Sequence, residues 1–361
     1  MPTIADTGWL VTGGVDTHAE VHVAGMVDQA GRVLGTREFA ATAKGYAAAL
    51  AWMRGHGELA RVGVEGTGSY GAGLARYLAA RGIEVAEVIR PNRQARRRRG
   101  KSDPADAVAA ALAALNGEAP GQPKSGDGAV ESIRALHVAR RGAVKARTQA
   151  GNQLRDLIIT APQVLREKLA TLPTAERVKL AARFRPGGLA SPAGAAKAAM
   201  AAAARRHQAL TAEITQLDTA LQTLLDHAAP AGFLAKNGVG TRVAATLLVT
   251  AGDNPGRRHT EASFAALCGA SPVDASSGKQ RRHRLNRGGD RQANSALWRI
   301  VFTRIATDPR TQAYMARRTS EGKTTREIIR CLKRYVAREI YKALTAHTRQ
   351  PKHDPATPII P

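Results

Sequence analysis

The chain has few aromatic residues, few acidic residues and almost no cysteine. Phe, Trp and Tyr together make up 4% of its 361 residues, so base stacking on exposed rings is not expected to dominate any recognition surface. Cysteine occurs only as Cys268 and Cys331, which excludes a disulfide framework and any Cys-rich metal site and leaves both thiols as expected core residues. No segment approaches the ~18 uninterrupted apolar residues of a membrane span. The N-terminal MPTIADTGWL lacks a cationic region followed by an apolar run, so a soluble, cytoplasmic protein without a membrane partner is expected. Asp and Glu number 29 against 54 Lys and Arg, a formal charge of +25. Such a field selects polyanions as partners. Composition alone also admits ribosomal or membrane-surface proteins, so the placement of the charges carries the argument.

At ~100 to 200 residues per domain the length suits two or three domains. Residues 1–116 mix strand and helix signals. Apolar, β-branched stretches at Leu10 to Val15, Val21 to Val27 and Val33 to Phe39 are joined by short polar links, including the turn chemistry of Asp28-Gln29-Ala30-Gly31, and predict an antiparallel meander. A helix over Lys44 to Arg54, a strand over Val62 to Glu65, a helix near Leu74 to Ala80, a strand over Ile83 to Ile89 and a helix over Pro104 to Leu115 follow. The order βββαβαβα is that of an α/β ribonuclease H-like (RuvC-like) domain. Residues 117–129 are rich in Gly and Pro and predict a linker. Residues 130–228 predict a helical region in which Leu210, Ile214, Leu217, Leu221 and Leu224 form an a/d seam, either the face of an ordinary amphipathic helix or an intermolecular coiled coil. Residues 229–348 predict a mainly α domain with a Gly- and Arg-rich interruption from Gly269 to Gly289, and 349–361 a disordered tail.

Four carboxylates fall where such a sheet converges. Asp16 ends the first strand, Glu65 ends the fourth, and Asp103 and Asp106 open the last helix. Clustered carboxylates repel unless cations neutralise them, and hard oxygen donors select Mg²⁺ or Mn²⁺, which suits phosphodiester chemistry. Each residue also has a plainer reading. Asp103 before Pro104 fits a helix N-cap, Asp16 and Glu65 fit turns, and His18 and His22 read as strand residues rather than ligands.

The segments GVDTHAE, GVEGTGSYG and KSDPADA resemble the three N-terminal motifs of the DEDD family of bacterial insertion-sequence transposases, with which the Piv-type invertases and the RNA-guided bridge recombinases are grouped. The resemblance implies that Asp16, Glu65, Asp103 and Asp106 are catalytic metal ligands. It also implies a C-terminal transposase domain with a serine nucleophile. In CGASPVDASSGKQRRHRLNRGGDRQANSALWRI the matching position is Ser277, a residue type that needs help to lose its proton. By the same resemblance the partners are DNA and a structured bridge RNA, and the assembly is a homodimer or homotetramer.

Basic residues crowd both motifs. Arg93, Arg96, Arg97, Arg98, Arg99 and Lys101 precede Asp103, and Lys279, Arg281, Arg282, Arg284 and Arg287 follow Ser277; both runs are candidate backbone-binding segments. A third set, Arg326, Arg330, Lys333, Arg334 and Arg338, repeats at helical spacing and predicts one basic face. Asn237-Gly238-Val239-Gly240-Thr241 suits either a helix-hairpin-helix phosphate contact or a plain turn. The main reading is a metal-assisted, serine-dependent DNA recombinase. A metal-dependent or junction-resolving nuclease, an actin-like kinase and a non-catalytic nucleic-acid binder are the alternatives. The helical middle counts against the kinase, and the four placed carboxylates count against the passive binder.

Overall fold

The computed structural model describes residues 9–88, 102–119, 121–254, 260–278 and 283–346. The chain divides into two compact units, residues 1–128 with 251–259, and residues 129–250 with 260–361. The regions 130–228 and 229–348 thus fall in the same unit, apart from residues 251–259. Among the described residues no helix is long and apolar enough to cross a membrane.

The first unit is a mixed sheet flanked by helices. Its elements are β1 (Leu10–Thr17), β2 (Val21–Asp28), β3 (Val33–Ala40), α1 (Ala43–Arg54), β4 (Glu58–Glu65), α2 (Ala72–Ala79), β5 (Glu84–Val88) and α3 (Asp103–Leu115). The strand order is β3-β2-β1-β4-β5, with an antiparallel meander β1-β2-β3 and parallel pairs β1-β4 and β4-β5. This mixed α/β arrangement fits the ribonuclease H-like order expected from the sequence. The link after β2 folds as its residues require: Asp28 Oδ1 accepts from the amides of Ala30 and Arg32 at 2.9 and 2.8 Å, and Gly31 takes φ +78°.

The two faces of the sheet are packed differently. One carries the apolar core, in which Val11, Val15 and Met26 meet Leu50, Met53, Leu74 and Leu78; each such side chain contributes roughly 1.5–3 kcal/mol by leaving water. The other face carries a row of glycines. Gly14 pairs with Gly25 on one side and Gly63 on the other. A Cβ on Gly14 would lie 2.1 Å from Ala111 N and 2.2 Å from Ala107 O, and one on Gly63 would lie 2.4 Å from Ala110 O. The helix α3 presents Ala107, Ala110, Ala111 and Ala114, all buried, at positions three and four apart that make one stripe. Helix backbone therefore rests on strand backbone with no side-chain layer between. That contact sets where the first turn of α3, with Asp103 and Asp106, stands.

The second unit is helical: α4 (Ala129–Ile159), α5 (Gln163–Ala170), α6 (Thr174–Ala182), α7 (Pro192–Ala228), α8 (Thr241–Ala251), α9 (Glu261–Leu267), α10 (Arg291–Thr307), α11 (Pro309–Ser320) and α12 (Thr325–Ala346), with a small antiparallel pair β6 (Val273–Asp274) and β7 (His283–Arg284). The long helices α4 and α7 run antiparallel, since Arg140 holds Asp218 while Gln153 accepts from Arg206. Asp218 shares a face with Ile214 and Leu221, both buried. Ile214 and Leu221 of the leucine seam thus pack within their own unit.

The basic face expected on the last helix is corrected. Lys333 is buried and its Nζ donates to Asn294 Oδ1 at 2.9 Å, while Arg334 and Arg338 both reach Glu261, at 2.6 and 2.9 Å. Those three cations bind elements of their own unit. Cys268 is buried as expected, its thiol pushed up to about 12 by burial and by Asp290. Cys331 is only half-buried.

Candidate functional site

Asp16, at the end of β1, is buried, and α3 brings Asp103 towards it. Between them lies His18: its Nε2 is 3.2 Å from Asp16 Oδ2 and 3.5 Å from Asp103 Oδ2. One ligand atom from each of the three residues lies within 4.8 Å of the others. Two carboxylates this close are costly unless a positive charge answers them. The side chains of His18 and Asp103 are 48% and 47% exposed, so the group opens to solvent on their side. Two carboxylate oxygens and an imidazole nitrogen at this spacing could together hold a metal ion.

Two sequence expectations change here. His18 is not part of a strand: β1 ends at Thr17 and His18 stands in the link to β2, turned to the carboxylates. The N-cap of α3 is Ser102, and Asp103 is the first helical residue, so its side chain is directed at the cluster rather than at capping. His22 is a strand residue as expected. It is buried, lies 5.6 Å from the Tyr46 ring in a stacked arrangement, and its pKa is pushed down by burial.

Glu65 and Asp106 lie near these elements but outside the three-residue group. Val15 pairs with Val64, so Asp16 and Glu65 follow directly on adjacent parallel strands, and alternation points both to the face that carries α3. Thr17 Oγ1 donates to Glu65 O at 2.8 Å and ties the two strand ends. Asp106 is 4% exposed, one turn along α3 from Asp103.

Ser277 belongs to the second unit. It is exposed, just beyond β6, in a segment whose ends are drawn together at Gly269 and Gly289. A Cβ on Gly289 would lie 2.2 Å from Gly269 N, and Asp290 N donates to Leu267 O at 2.7 Å. No general base stands directly beside this serine pair in the sequence. The structure supplies Asp274, which accepts hydrogen bonds from the amide and hydroxyl of Ser276; these hold its carboxyl below the usual range. Only the short step from Asp274 to Ser276 in the sequence could have signalled it. Arg284 and Arg287 are exposed nearby, and Arg284 lines a cavity of about 300 Å³ with Ser271, His283 and Arg330. Arg93, Arg96, Arg97, Arg98, Arg99, Lys101, Lys279, Arg281 and Arg282 lie outside the described residues.

Comparison with known proteins places both halves in one group. Residues 13–160 match the DEDD model of IS110, described as a transposase, and residues 233–316 match the transposase IS116/IS110/IS902 family. The first span contains Asp16, Glu65, Asp103 and Asp106, and the second contains Ser277. Over 102 residues the chain is 35% identical to the insertion element IS110 uncharacterized 43.6 kDa protein of Streptomyces coelicolor, a match covering 28% of this chain and 25% of that protein. The class is thus that of DEDD transposases. The chain belongs to the IS110 family of insertion-sequence transposases.

Proposed function

We propose that this protein excises and inserts an insertion-sequence element by metal-assisted DNA strand cleavage through a covalent phosphoserine intermediate. The observation that carries the reading is the Asp16–His18–Asp103 group, which lies inside the span matched to DEDD transposases. Asp16 and Asp103, with Glu65 and Asp106 beside them, would hold Mg²⁺ or Mn²⁺. When bound, such an ion supplies charge neutralisation at a phosphate and eases deprotonation of an attacking hydroxyl.

Ser277 is the nucleophile. Its Oγ forms a bond to phosphorus while the bond from phosphorus to the departing sugar oxygen breaks; the serine proton leaves to a base and the sugar oxygen takes one up. One phosphodiester replaces another, so the adduct retains the bond energy and rejoining needs no nucleotide cofactor. The runs Arg93 to Lys101 and Lys279 to Arg287 hold the nucleic-acid backbone, which carries affinity without sequence information. With so few aromatic residues to read bases, specificity comes from a structured bridge RNA that pairs with donor and target DNA. The working assembly is a homodimer or homotetramer.

The test incubates the full chain with an element end, its target and the flanking transcript, and looks for protein–DNA adducts on a denaturing gel. Wild type forms an adduct, and Ser277→Ala and Asp16→Asn form none. Strand cleavage by Ser277→Ala at the wild-type rate would instead make the protein a hydrolytic nuclease with the serine as bystander.

A further inference from the structure

Within the helical unit two adjoining cavities of about 520 and 550 Å³ share Arg140, Arg242, Val243 and Arg299 in their walls. Arg141 and Lys145, from α4, extend the lining at one end. The Gly238 to Thr241 hairpin closes the other. Among the described residues that line the two cavities Asp218 is the one carboxylate, and Arg140 engages it through both Nε and Nη2. Arg141, Lys145, Arg242 and Arg299 make no ion pair among the described residues. Burial, and then Arg299 and Arg140, hold the Arg242 guanidinium below its ordinary pKa. Cations gathered round a cavity with a single acid, Asp218, which is already engaged by Arg140 and only partly offsets the others, are unfavourable until an anion enters.

Two further features point to what enters. His137, 7% exposed, lines the cavity of about 550 Å³; its Nε2 lies 3.3 Å from Thr246 Oγ1, and its Nδ1 has no hydrogen-bond partner among the described residues. Gly240 is open, since a Cβ there would meet nothing within 4 Å, and it leads into the N-terminus of the 11-residue helix α8, where backbone amides favour phosphate. On α10, Trp298 and Phe302 flank Arg299 in sequence. Their rings stack at 5.0 Å and 19°, yet they are 40% and 60% exposed. Cations lining a groove, with exposed rings on a helix that contributes to its wall, are the combination that holds an unpaired strand, with phosphates on the cations and bases on the π-faces.

We propose that this groove binds a single-stranded segment of nucleic acid, its phosphates against Arg141, Lys145, Arg242 and Arg299 and its bases turned out to Trp298 and Phe302. None of these residues belongs to the basic runs that precede Asp103 and follow Ser277 in the sequence. The proposal rests on the reading of the protein as one that handles nucleic acid. Strand identity is left to the probes, because DNA and RNA offer the same phosphodiester chain.

The experiment measures binding of the full chain, in excess chelator, to a short single-stranded DNA, the RNA of the same sequence and the corresponding DNA duplex, by fluorescence anisotropy over a range of salt. Replacing Arg242 and Arg299 together by Gln is expected to weaken binding to the preferred single strand about tenfold and to flatten its salt slope by about 1.4, at roughly 0.7 per lost phosphate contact. The Lys pair at the same positions restores the slope and so separates lost charge from lost fold. Phe302→Ala is expected to weaken single-strand binding about fivefold or more while leaving the duplex within about twofold. Unchanged affinity and slope in the Gln pair would overturn the proposal, as would an equal loss for duplex and single strand in Phe302→Ala. Those results leave the recombinase reading standing; wild-type protein that binds none of the probes removes both.

Discussion

Asp16 and Glu65 leave adjacent parallel strands at the same level, each directly after the last paired rung of Val15 with Val64. Two residues earlier on both strands stand Gly14 and Gly63, also paired, and both are pressed against the backbone of α3. The spacing of two puts glycines and carboxylates on one face. The contact that seats the helix is therefore the contact that locates its first-turn acids against the strand ends.

Gly14→Ala should accordingly be far more damaging than an ordinary Gly-to-Ala change. The new methyl would fall 2.1 Å from Ala111 N, and helix backbone cannot rotate aside as a side chain can. We expect a loss of roughly 1–3 kcal/mol or more from overpacking, read by denaturant unfolding, together with weakened metal binding. Gly142→Ala on α4, where a Cβ meets nothing within 4 Å, is the comparison and should leave stability unchanged or slightly raised.

Metal binding discriminates the members of the acidic group. In calorimetric titrations with Mn²⁺, Asp16→Asn and Asp103→Asn are each expected to raise Kd by about tenfold or more, about 1.4 kcal/mol. His18→Ala should weaken Mn²⁺ measurably and Mg²⁺ less, because imidazole suits the softer ion. Equal Mn²⁺ affinity in wild type and His18→Ala would make the histidine a neighbour and not a ligand.

The two adjacent serines can be separated. Ser277→Ala should lower covalent adduct formation about 1000-fold or more, as expected when a nucleophile is removed. Ser276→Ala removes the hydroxyl bonded to Asp274 and should slow adduct formation by less than about tenfold. A reversal of this order would transfer the nucleophile to Ser276.

Buried histidines set a dependence on pH. Burial lowers the pKa of His22 and of His137 in the folded chain, and Arg141, Arg140 and Arg242 lower that of His137 further. Below the unfolded value near 6.5 the unfolded chain holds protons that these residues do not. Stability therefore rises with pH through that window and is lost as pH falls below about 6.5, by up to about 1.4 kcal/mol per pH unit per histidine. Urea unfolding at pH 5 and pH 7.5 should show the lower stability at pH 5, and His22→Phe should reduce the difference. No difference between the two pH values would mean that neither ring is kept neutral on folding.

Local chemistry was legible in the sequence wherever it acts over a few residues. The Asp28 turn, the meander, the alternation of strands with helices and the strand-end places of Asp16 and Glu65 all follow from short patterns. The glycine row did not show, because Gly25, Gly14 and Gly63 become neighbours only through strand register. His18 carries no local mark of its position: only the end of β1 at Thr17, which leaves it in the link to β2, turns it to the acids. The face of α12 looked solvated because Glu261, which answers Arg334 and Arg338, lies more than seventy residues earlier. The leucine repeat carries no mark of the Arg140–Asp218 pair that joins α7 to α4, since the two residues lie 78 positions apart.

The close approach of Gly289 to Gly269 has a consequence for how such a protein can change. It pins both ends of the segment carrying Ser277, while α9 and α10 continue undisturbed on either side. Lengthening a loop between fixed ends is cheap, about 0.6 kcal/mol for each doubling. Insertions between Val273 and Arg284 should therefore alter the reach of the serine without reshaping the helical body. Insertions on the body side of the neck, between Leu267 and Gly269 or at Asp290, would pry the two helices apart. Reach and scaffold are in this way separately adjustable, with two glycines marking the border between them.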